Sequence, residues 1–276
     1  MVDWFKIKKI DGHIHILPDE VHEANPDSED VWKKADLHKY HEMMGKYHID
    51  QAVIMPLNDP WLMSMEFTIS NVHKNLCAMK QQYPHSFYAF ADVDARNTSM
   101  QSVKAIERAI ELGLDGIKLH PSNTGMNADD EYNKSIFTYA QKNKIPVAIH
   151  SYPNSKEDPC APKRIVHLLE QFPQLIMIVC HMGAYQWEEL LSEDVYIDIS
   201  AILPDYIQHY GLKKTNEIMR LFGADRLIFA SDYPDNRFLK PEEIYDFYFN
   251  TLNQMDFTEE EAAKIAYQNI EKIMSL

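Results

Sequence analysis

Two histidines, His13 and His15, lie one residue apart in the segment IDGHIHIL at residues 10–17. The isoleucines around them are typical of a buried β-strand, and side chains on a strand point alternately to opposite faces. Both imidazoles therefore point to the same side, while Ile14 and Ile16 point to the other. Two histidine nitrogens on one rigid strand suit a divalent cation such as Zn²⁺, which binds histidine nitrogen at about 2.0–2.1 Å.

Six of the other seven apolar segments of the chain also end in polar residues. In chain order these strand-end residues are Asp92 and Asp94, Lys118 and His120, His150, His181, Asp198 and Ser200, and Ser231 and Asp232. Burying one such group without a partner costs about 1–3 kcal/mol, and burying a charge costs more. We therefore expect these groups to compensate one another around a shared ligand, for which a metal ion is suited.

Eight short apolar segments rich in β-branched residues alternate with longer segments of helical periodicity. They are residues 6–16, 51–56, 87–93, 113–120, 145–151, 175–181, 195–200 and 226–232. Strands buried on both faces and joined by helices indicate a parallel sheet, and eight units in 276 residues favour a (β/α)₈ TIM barrel over an open doubly wound sheet. In such a barrel all the C-terminal strand ends face one mouth, where active sites are built.

No linker or repeat divides the chain, so the sequence predicts a single domain over residues 1–276. The longest connection, residues 17–35, is expected to be a lid or partner loop.

Composition narrows the function further. The formal net charge is −15, from 27 basic and 42 acidic residues, which disfavours nucleic acid and anionic membranes as partners. No apolar run approaches the roughly 20 residues that span a bilayer, and the N-terminus lacks the pattern of a signal peptide. Three widely spaced cysteines fit a reducing compartment. We therefore expect a cytoplasmic protein with a small-molecule substrate; a homodimer is left open.

The motifs together resemble the amidohydrolase superfamily. They are D-G-H-x-H on the first strand, G-x-K-x-H-P on the fourth, a terminal histidine on the fifth, H-x-G on the sixth and S-D-Y-P on the eighth. Within the superfamily the match is to the amidohydrolase-related group, which includes enzymes similar to aminocarboxymuconate-semialdehyde decarboxylase. It runs from Asp11 to about Asn269.

This resemblance implies roles for individual residues. It implies that His13, His15, His150 and Asp232 bind the metal and that Asp232 also moves protons. His181 matches a histidine that acts as acid or base beside a single metal, or that binds a second ion in two-metal members.

Lys118 and His120 leave alternatives open. Lysine at the position of Lys118 is carboxylated and bridges two ions in two-metal members, whereas in one-metal relatives it pairs with substrate or a carboxylate. One ion is favoured over two here. His120 is either a further ligand or substrate contact, or a hydrogen-bonded loop histidine before Pro121.

The predicted chemistry is metal-assisted hydrolysis of an amide, lactone or ester, because a metal activates water and polarises a carbonyl. The alternative is non-oxidative decarboxylation, with Arg237 as the candidate to bind a carboxylate bidentately.

Tyr152 and Trp61 are candidates to line the substrate pocket, and Asp198 and Ser200 are either groups that orient the ligands or satisfied strand ends. A non-catalytic metal-binding barrel is the third reading, disfavoured because structural zinc sites are usually closed by four protein ligands.

Overall fold

Eight short parallel strands, hydrogen-bonded in chain order, form the central sheet. They are β1 (Lys9–Ile14), β2 (Ile49–Ile54), β3 (Phe87–Ala91), β4 (Gly116–Leu119), β5 (Val147–Ile149), β6 (Met177–Val179), β7 (Tyr196–Asp198) and β8 (Leu227–Ile228). The structure is a computed structural model that describes residues 2–25, 27–57, 59 and 68–276, except the side chains of residues 19 and 20.

The sheet closes on itself between β1 and the segment that follows β8. The amide of Gly12 donates to the Phe229 carbonyl at 2.9 Å, and the amide of His15 donates to the Tyr233 carbonyl at 2.7 Å. In the reverse direction the Asp232 amide donates to the His13 carbonyl at 2.9 Å. The predicted (β/α)₈ TIM barrel is thus confirmed, and its closure places Asp232 directly beside His13.

Helices surround the barrel and fill the connections between its strands. They are α1 (Asp19–Ala24), α2 (Val31–Lys34), α3 (Leu37–Tyr47), α4 (Ile69–Gln82), α5 (Ser99–Glu111), α6 (Pro121–Thr124), α7 (Glu131–Asn143), α8 (Pro162–Gln171), α9 (Ile202–Phe222), α10 (Ile244–Leu252), α11 (Glu259–Ala263) and α12 (Asn269–Met274), with 3-10 segments at Cys180–Leu190 and Pro241–Glu243 and a π-turn at Lys264–Gln268. Side-chain caps mark several starts, such as the reciprocal Thr98–Gln101 pair before α5, because the first amides of a helix lack partners within it.

The apolar residues form two layers. The larger one fills the space between strands and helices. The smaller one fills the barrel interior, where Ile10, Val53, Phe90, Ala148 and Ile178 pack together with Ile270 and Ile273 of α12. The polar strand ends lie beyond this apolar filling, at the opposite end of the strands.

A buried carboxylate, Asp11, joins the two strands at the closure. It accepts hydrogen bonds from the amides of His13 at 3.2 Å and Ser231 at 3.0 Å, and from the hydroxyl of Tyr245 at 2.7 Å. Burial raises the pKa of Asp11 to about 6. The two amide contacts fix the backbone of His13 and Ser231, next to the mouth, relative to each other.

Within the described part of the chain, none of the helices combines the length and apolar character needed to cross a bilayer.

Barrel closure depends on the absence of a side chain at Gly12. A Cβ there would lie 2.6 Å from Ile228 Cγ2 and 3.2 Å from the Phe229 carbonyl oxygen. We predict that Gly12→Ala lowers the free energy of unfolding by about 1–3 kcal/mol, the usual cost of overpacking. The matched control is Gly45→Ala at an exposed position of α3, where nothing lies within 4 Å and alanine stabilises a helix by about 0.5–1 kcal/mol. Urea unfolding of both variants measures the difference; equal midpoints would contradict the prediction.

Candidate metal centre

An open cavity of about 460 Å³ lies at the C-terminal ends of the strands. Its walls come from the connections after β1, β2, β4, β5, β6 and β8. The lining residues are His15, Trp32, Leu57, Asp59, His120, Ser122, Asn123, His150, Tyr152, Asn154, His181, Asp232 and Arg237. Most of the residues singled out in the sequence therefore meet around one cavity.

Three electron-pair donors converge at the base of this cavity. The Nε2 atoms of His13 and His15 lie 3.1 Å apart. The Oδ1 atom of Asp232 lies 3.2 Å from Nε2 of His15 and 3.4 Å from Nε2 of His13. This oxygen is buried and has no hydrogen-bond partner among the described residues. Three buried atoms that face one another with lone pairs, and with no proton between them, form a site that suits a cation.

The hydrogen bonds at the far side of each ring fix the tautomers. The Nδ1 atoms of His13, His15 and His181 lie 3.0 Å from Asp198 Oδ2, 2.6 Å from the Met55 carbonyl and 2.9 Å from the Ser200 carbonyl. Because carbonyls and carboxylates only accept, each Nδ1 carries the proton and each Nε2 presents its lone pair. Metal-binding histidines in proteins are oriented in this way.

Three histidines of this group, His13, His150 and His181, are held neutral, which is the form that binds a metal. Burial, and then the neighbouring charge of Lys118, lowers the pKa of His13 to about 3. Burial also lowers the pKa of His181 and, together with His120 and His181, depresses that of His150 well below its usual value.

Asp198 is the buried acceptor that organises the inner side of the site. It accepts the Nδ1 proton of His13, the amides of His181 at 2.8 Å and Ser200 at 3.1 Å, and the Ser200 hydroxyl at 2.6 Å. Burial by itself would raise the pKa of Asp198, but His13, His181 and Ser200 outweigh it and hold that pKa below its usual range. These contacts satisfy the carboxylate and also fix the orientation of the His13 ring; that His13 binds a metal stays a prediction.

His150 and His181 are coupled to each other. The ligand atoms of His13, His181 and Asp232 lie within 4.8 Å of one another. His150 joins this group through its Nδ1, which lies 3.0 Å from Nε2 of His181. Because the His181 Nε2 has no proton, the Nδ1 of His150 is the donor. The roles of His150 as a metal ligand and of His181 as acid or base stay predictions.

Lys118 reaches the same centre from β4. Its side chain is fully buried, and Nζ lies 3.2 Å from Nε2 of His13 and 3.2 Å from Sγ of Cys180. Burial, and then Asp198, raises the pKa of the Cys180 thiol well above its usual value. The two readings of Lys118, as a bridge between two ions or as a partner of the substrate, both stay predictions.

The sequence reasoning missed Cys180, whose Sγ lies within 4.8 Å of the ligand atoms of His13 and Asp198. Strand alternation offered a signal, because Cys180 shares the barrel-interior cluster with Ile178. His181 then departs from the alternation: its backbone has a φ of 59°, which turns its side chain toward the mouth.

Arg237 lies on the cavity wall between two carboxylates. Its Nε donates to Asp235 at 2.9 Å, and Nη2 lies 3.5 Å from Asp232 Oδ2. The guanidinium also stands 4.8 Å from the ring centre of Tyr152, whose hydroxyl donates to Asp205. Arg237 and Tyr152, both candidate substrate-binding residues from the sequence, line the pocket. Their contact with substrate stays a prediction.

Trp61 lies outside the described residues. The connection at residues 17–35 supplies a different tryptophan, Trp32, whose ring lies edge-on to His15 with centres 5.4 Å apart. Sequence reasoning missed it because nothing in that connection distinguishes a residue that covers the site.

The chain matches the family model of amidohydrolases (Amidohydro_2) over residues 10–276. It belongs to this family, and it is an enzyme of the kind that binds a divalent metal. No curated protein sequence matches the chain.

Solved structures with the same fold come from enzymes of different chemistry. One is the 5-carboxyvanillate decarboxylase of Novosphingobium aromaticivorans with manganese and 4-hydroxy-3-methoxy-5-nitrobenzoic acid (18% identity, TM-score 0.73, all of both chains covered). Another is the 2,6-dihydroxybenzoate decarboxylase of Rhizobium (15% identity, TM-score 0.70, 97% of this chain and 98% of that one). A third is the probable 2-pyrone-4,6-dicarboxylic acid hydrolase of Acinetobacter baumannii with citric acid (17% identity, TM-score 0.69, 98% of this chain and all of that one). At these sequence identities the structural similarity shows a shared fold and does not identify the reaction.

The contacts of Asp198 generate a prediction about metal affinity. Asp198→Ala removes the acceptor that fixes the His13 tautomer, and we expect divalent metal to bind about 10–100-fold more weakly, as for other partners of metal-bound histidines. Competition with a chromophoric chelator measures this affinity. The control is Asp129→Ala, which removes a carboxylate paired with Arg164 and His167 and should leave the affinity unchanged. Equal affinities for the two variants would contradict the role of Asp198.

Proposed function

We propose that this enzyme is a metal-dependent hydrolase that cleaves an amide, lactone or ester bond of a small, carboxylate-bearing molecule. The carrying observation is the Asp232 carboxylate, whose Oδ1 has no hydrogen-bond partner among the described residues and faces the Nε2 atoms of His13 and His15. His13, His15, His150 and Asp232 would hold one divalent ion, with Zn²⁺ as the first candidate because of the histidine-rich donor set. When bound, such an ion acidifies a coordinated water and polarises a carbonyl.

Asp232 is held in its ionised form, which leaves it free to receive a proton. Its burial would raise its pKa, but His13, His181 and His15 outweigh that effect and keep the pKa well below its usual range. The carboxylate is therefore ionised at neutral pH. It can take the proton of the attacking water and deliver it to the leaving group. The hydrogen bond from its backbone amide to the His13 carbonyl keeps it in place.

His181 is placed to assist this proton movement. Its Nδ1 is anchored on the Ser200 carbonyl, and its Nε2 accepts from His150. A neutral imidazole that keeps its proton at one nitrogen can take up a proton at the other and release it again in a later step, as general acid–base catalysis requires.

Arg237 is suited to hold a carboxylate of the substrate. A guanidinium offers five N–H donors, of which Nε and Nη2 contact Asp235 and Asp232. Burial would lower the pKa of Arg237, but Asp235 and Asp232 raise it overall, so the side chain stays a cation. A cationic group at the cavity wall supports the proposal that the substrate carries negative charge.

Decarboxylation is the second candidate. It is favoured by the position of Arg237, which would hold the departing carboxylate next to the proton-transfer group Asp232. Two of the structures with this fold are decarboxylases of aromatic acids. In this reaction a proton is delivered to the substrate carbon and CO₂ leaves.

The role of Asp232 can be measured by removing its charge. Asp232→Asn keeps the shape of the side chain, and we expect kcat to fall by about 10²–10⁴-fold because general acid–base catalysis contributes that much. Because Asp232 is also a proposed ligand, the assay is run at saturating metal with metal content measured in parallel. Asp129→Asn is the control and should retain the wild-type rate. A metal-loaded Asp232→Asn variant with wild-type kcat would contradict the proposal.

Isotope labelling distinguishes the two reactions. On a panel of lactones, esters, amides and aromatic acids with ¹³C-labelled carboxylates in H₂¹⁸O, we expect one ¹⁸O atom in the cleaved product and no ¹³CO₂. Mass spectrometry of product and headspace gives both readings. Release of ¹³CO₂ without ¹⁸O in the remaining product would instead establish the decarboxylase.

A further inference from the structure

His120 differs from the metal-facing histidines in the position of its ring proton. It precedes α6, and the backbone amide of Asn123 donates to its Nδ1 at 3.2 Å. A backbone amide can only donate, so this Nδ1 presents a lone pair. The ring of His120 is therefore neutral, with its single proton on Nε2.

This tautomer is the reverse of that found at the base of the cavity. His13, His15 and His181 each donate from Nδ1 and present the lone pair of Nε2. His120 instead presents an N–H group at Nε2. A nitrogen that carries a proton donates hydrogen bonds and does not ligate a metal, so His120 offers the cavity a different chemistry from its neighbours.

His120 lies on the wall of the cavity. The residue lines the cavity together with Arg237, and its ring stacks on His150 with centres 3.7 Å apart at 15°. The connection around it is fixed as well, because the side-chain amide of Asn123 donates to the Leu57 carbonyl at 2.7 Å.

We propose that His120 is a substrate-binding residue that donates its Nε2 proton to an oxygen atom of the substrate and does not bind the metal. This inference rests on the proposed function, since it assigns a role within the same site. The oxygen is either on the ground-state carboxylate or on the carbonyl that becomes negatively charged during the reaction. Loss of the donor affects KM in the first case and kcat in the second.

The tautomer can be observed directly by NMR of the wild-type protein labelled with ¹⁵N-histidine and loaded with ¹¹³Cd²⁺. We expect the His120 ring, assigned from its loss in His120→Gln, to show a proton on Nε2 and no coupling to cadmium, whereas His13 and His15 show the coupling. A cadmium coupling at His120, or a proton on its Nδ1, would overturn the proposal. This measurement needs no substrate, so its outcome is independent of the reaction catalysed.

Two substitutions then test binding. His120→Phe keeps a ring that stacks on His150 but removes the donor, and we expect kcat/KM to fall about 10–100-fold, the value of a hydrogen bond to a charged group, with unchanged metal content. His120→Gln places an amide N–H near the Nε2 position and should restore kcat/KM to within about threefold of wild type. His167→Phe, at an exposed histidine paired with Asp129, is the control for the change to phenylalanine.

The possible outcomes distinguish a failure of the inference about His120 from a failure of the proposed function. Loss of metal from a folded His120→Phe variant, verified by its thermal unfolding, would make His120 a ligand and overturn the inference. Wild-type kcat/KM in that variant would do the same. If no substrate on the panel is turned over by wild type, the proposed function fails while the NMR result still decides the tautomer.

Discussion

The buried carboxylate of Asp198 is the interaction on which the rest of the mouth depends. A charge inside a barrel costs several kcal/mol unless it is paired and hydrogen-bonded. Here the amides of His181 and Ser200, the Ser200 hydroxyl and the His13 ring all donate to it. These donors come from β1 and from the ends of β6 and β7, so a single acceptor fixes three parts of the barrel relative to one another. Because Asp198 is satisfied in this way, it stays charged, and because it stays charged it determines which nitrogen of His13 faces inward.

The backbone makes a second contribution to the geometry. His181 and Asp232 have φ values of 59° and 63°, in the left-handed region that costs a residue with a side chain about 1–2 kcal/mol. Asp232 is held there by two backbone contacts, since its amide donates to the His13 carbonyl and the Asp235 amide donates to the Asp232 carbonyl at 2.8 Å. His181 is held by its amide, which donates to the Asp198 carboxylate at 2.8 Å. Met182, Ala184 and Ala201 beside the site have positive φ values as well, so the strained backbone includes, and extends beyond, the two residues proposed to move protons. It points their side chains to positions that an extended strand would not reach.

The arrangement explains why some features could be predicted from the sequence and others could not. The HxH spacing and the apolar strands are local patterns, so they predicted both the barrel and the side to which His13 and His15 point. The convergence of His150, His181 and Asp232 followed from topology, since all strand ends of a barrel face one mouth. The orienting role of Asp198 and the proximity of Cys180 to Lys118 depend on distances between strands, which strand alternation does not specify. The reversed tautomer of His120 depends on one amide of the following turn, and Trp32 comes from a connection without periodicity.

The positions of the ring protons give the base and the wall of the cavity different hydrogen-bonding character. Nε2 atoms with lone pairs and the Asp232 oxygen gather at the base, where only a cation or a proton satisfies them. On the wall, Arg237 and the Nε2 proton of His120 are donors. The proposed substrate, a small molecule with a reactive carbonyl and a nearby carboxylate, would match both parts at once, whereas an apolar or cationic molecule would leave the His120 N–H without an acceptor. The proton positions follow from hydrogen bonds on the far side of each ring, and under the proposed function they favour a substrate that carries acceptor oxygens.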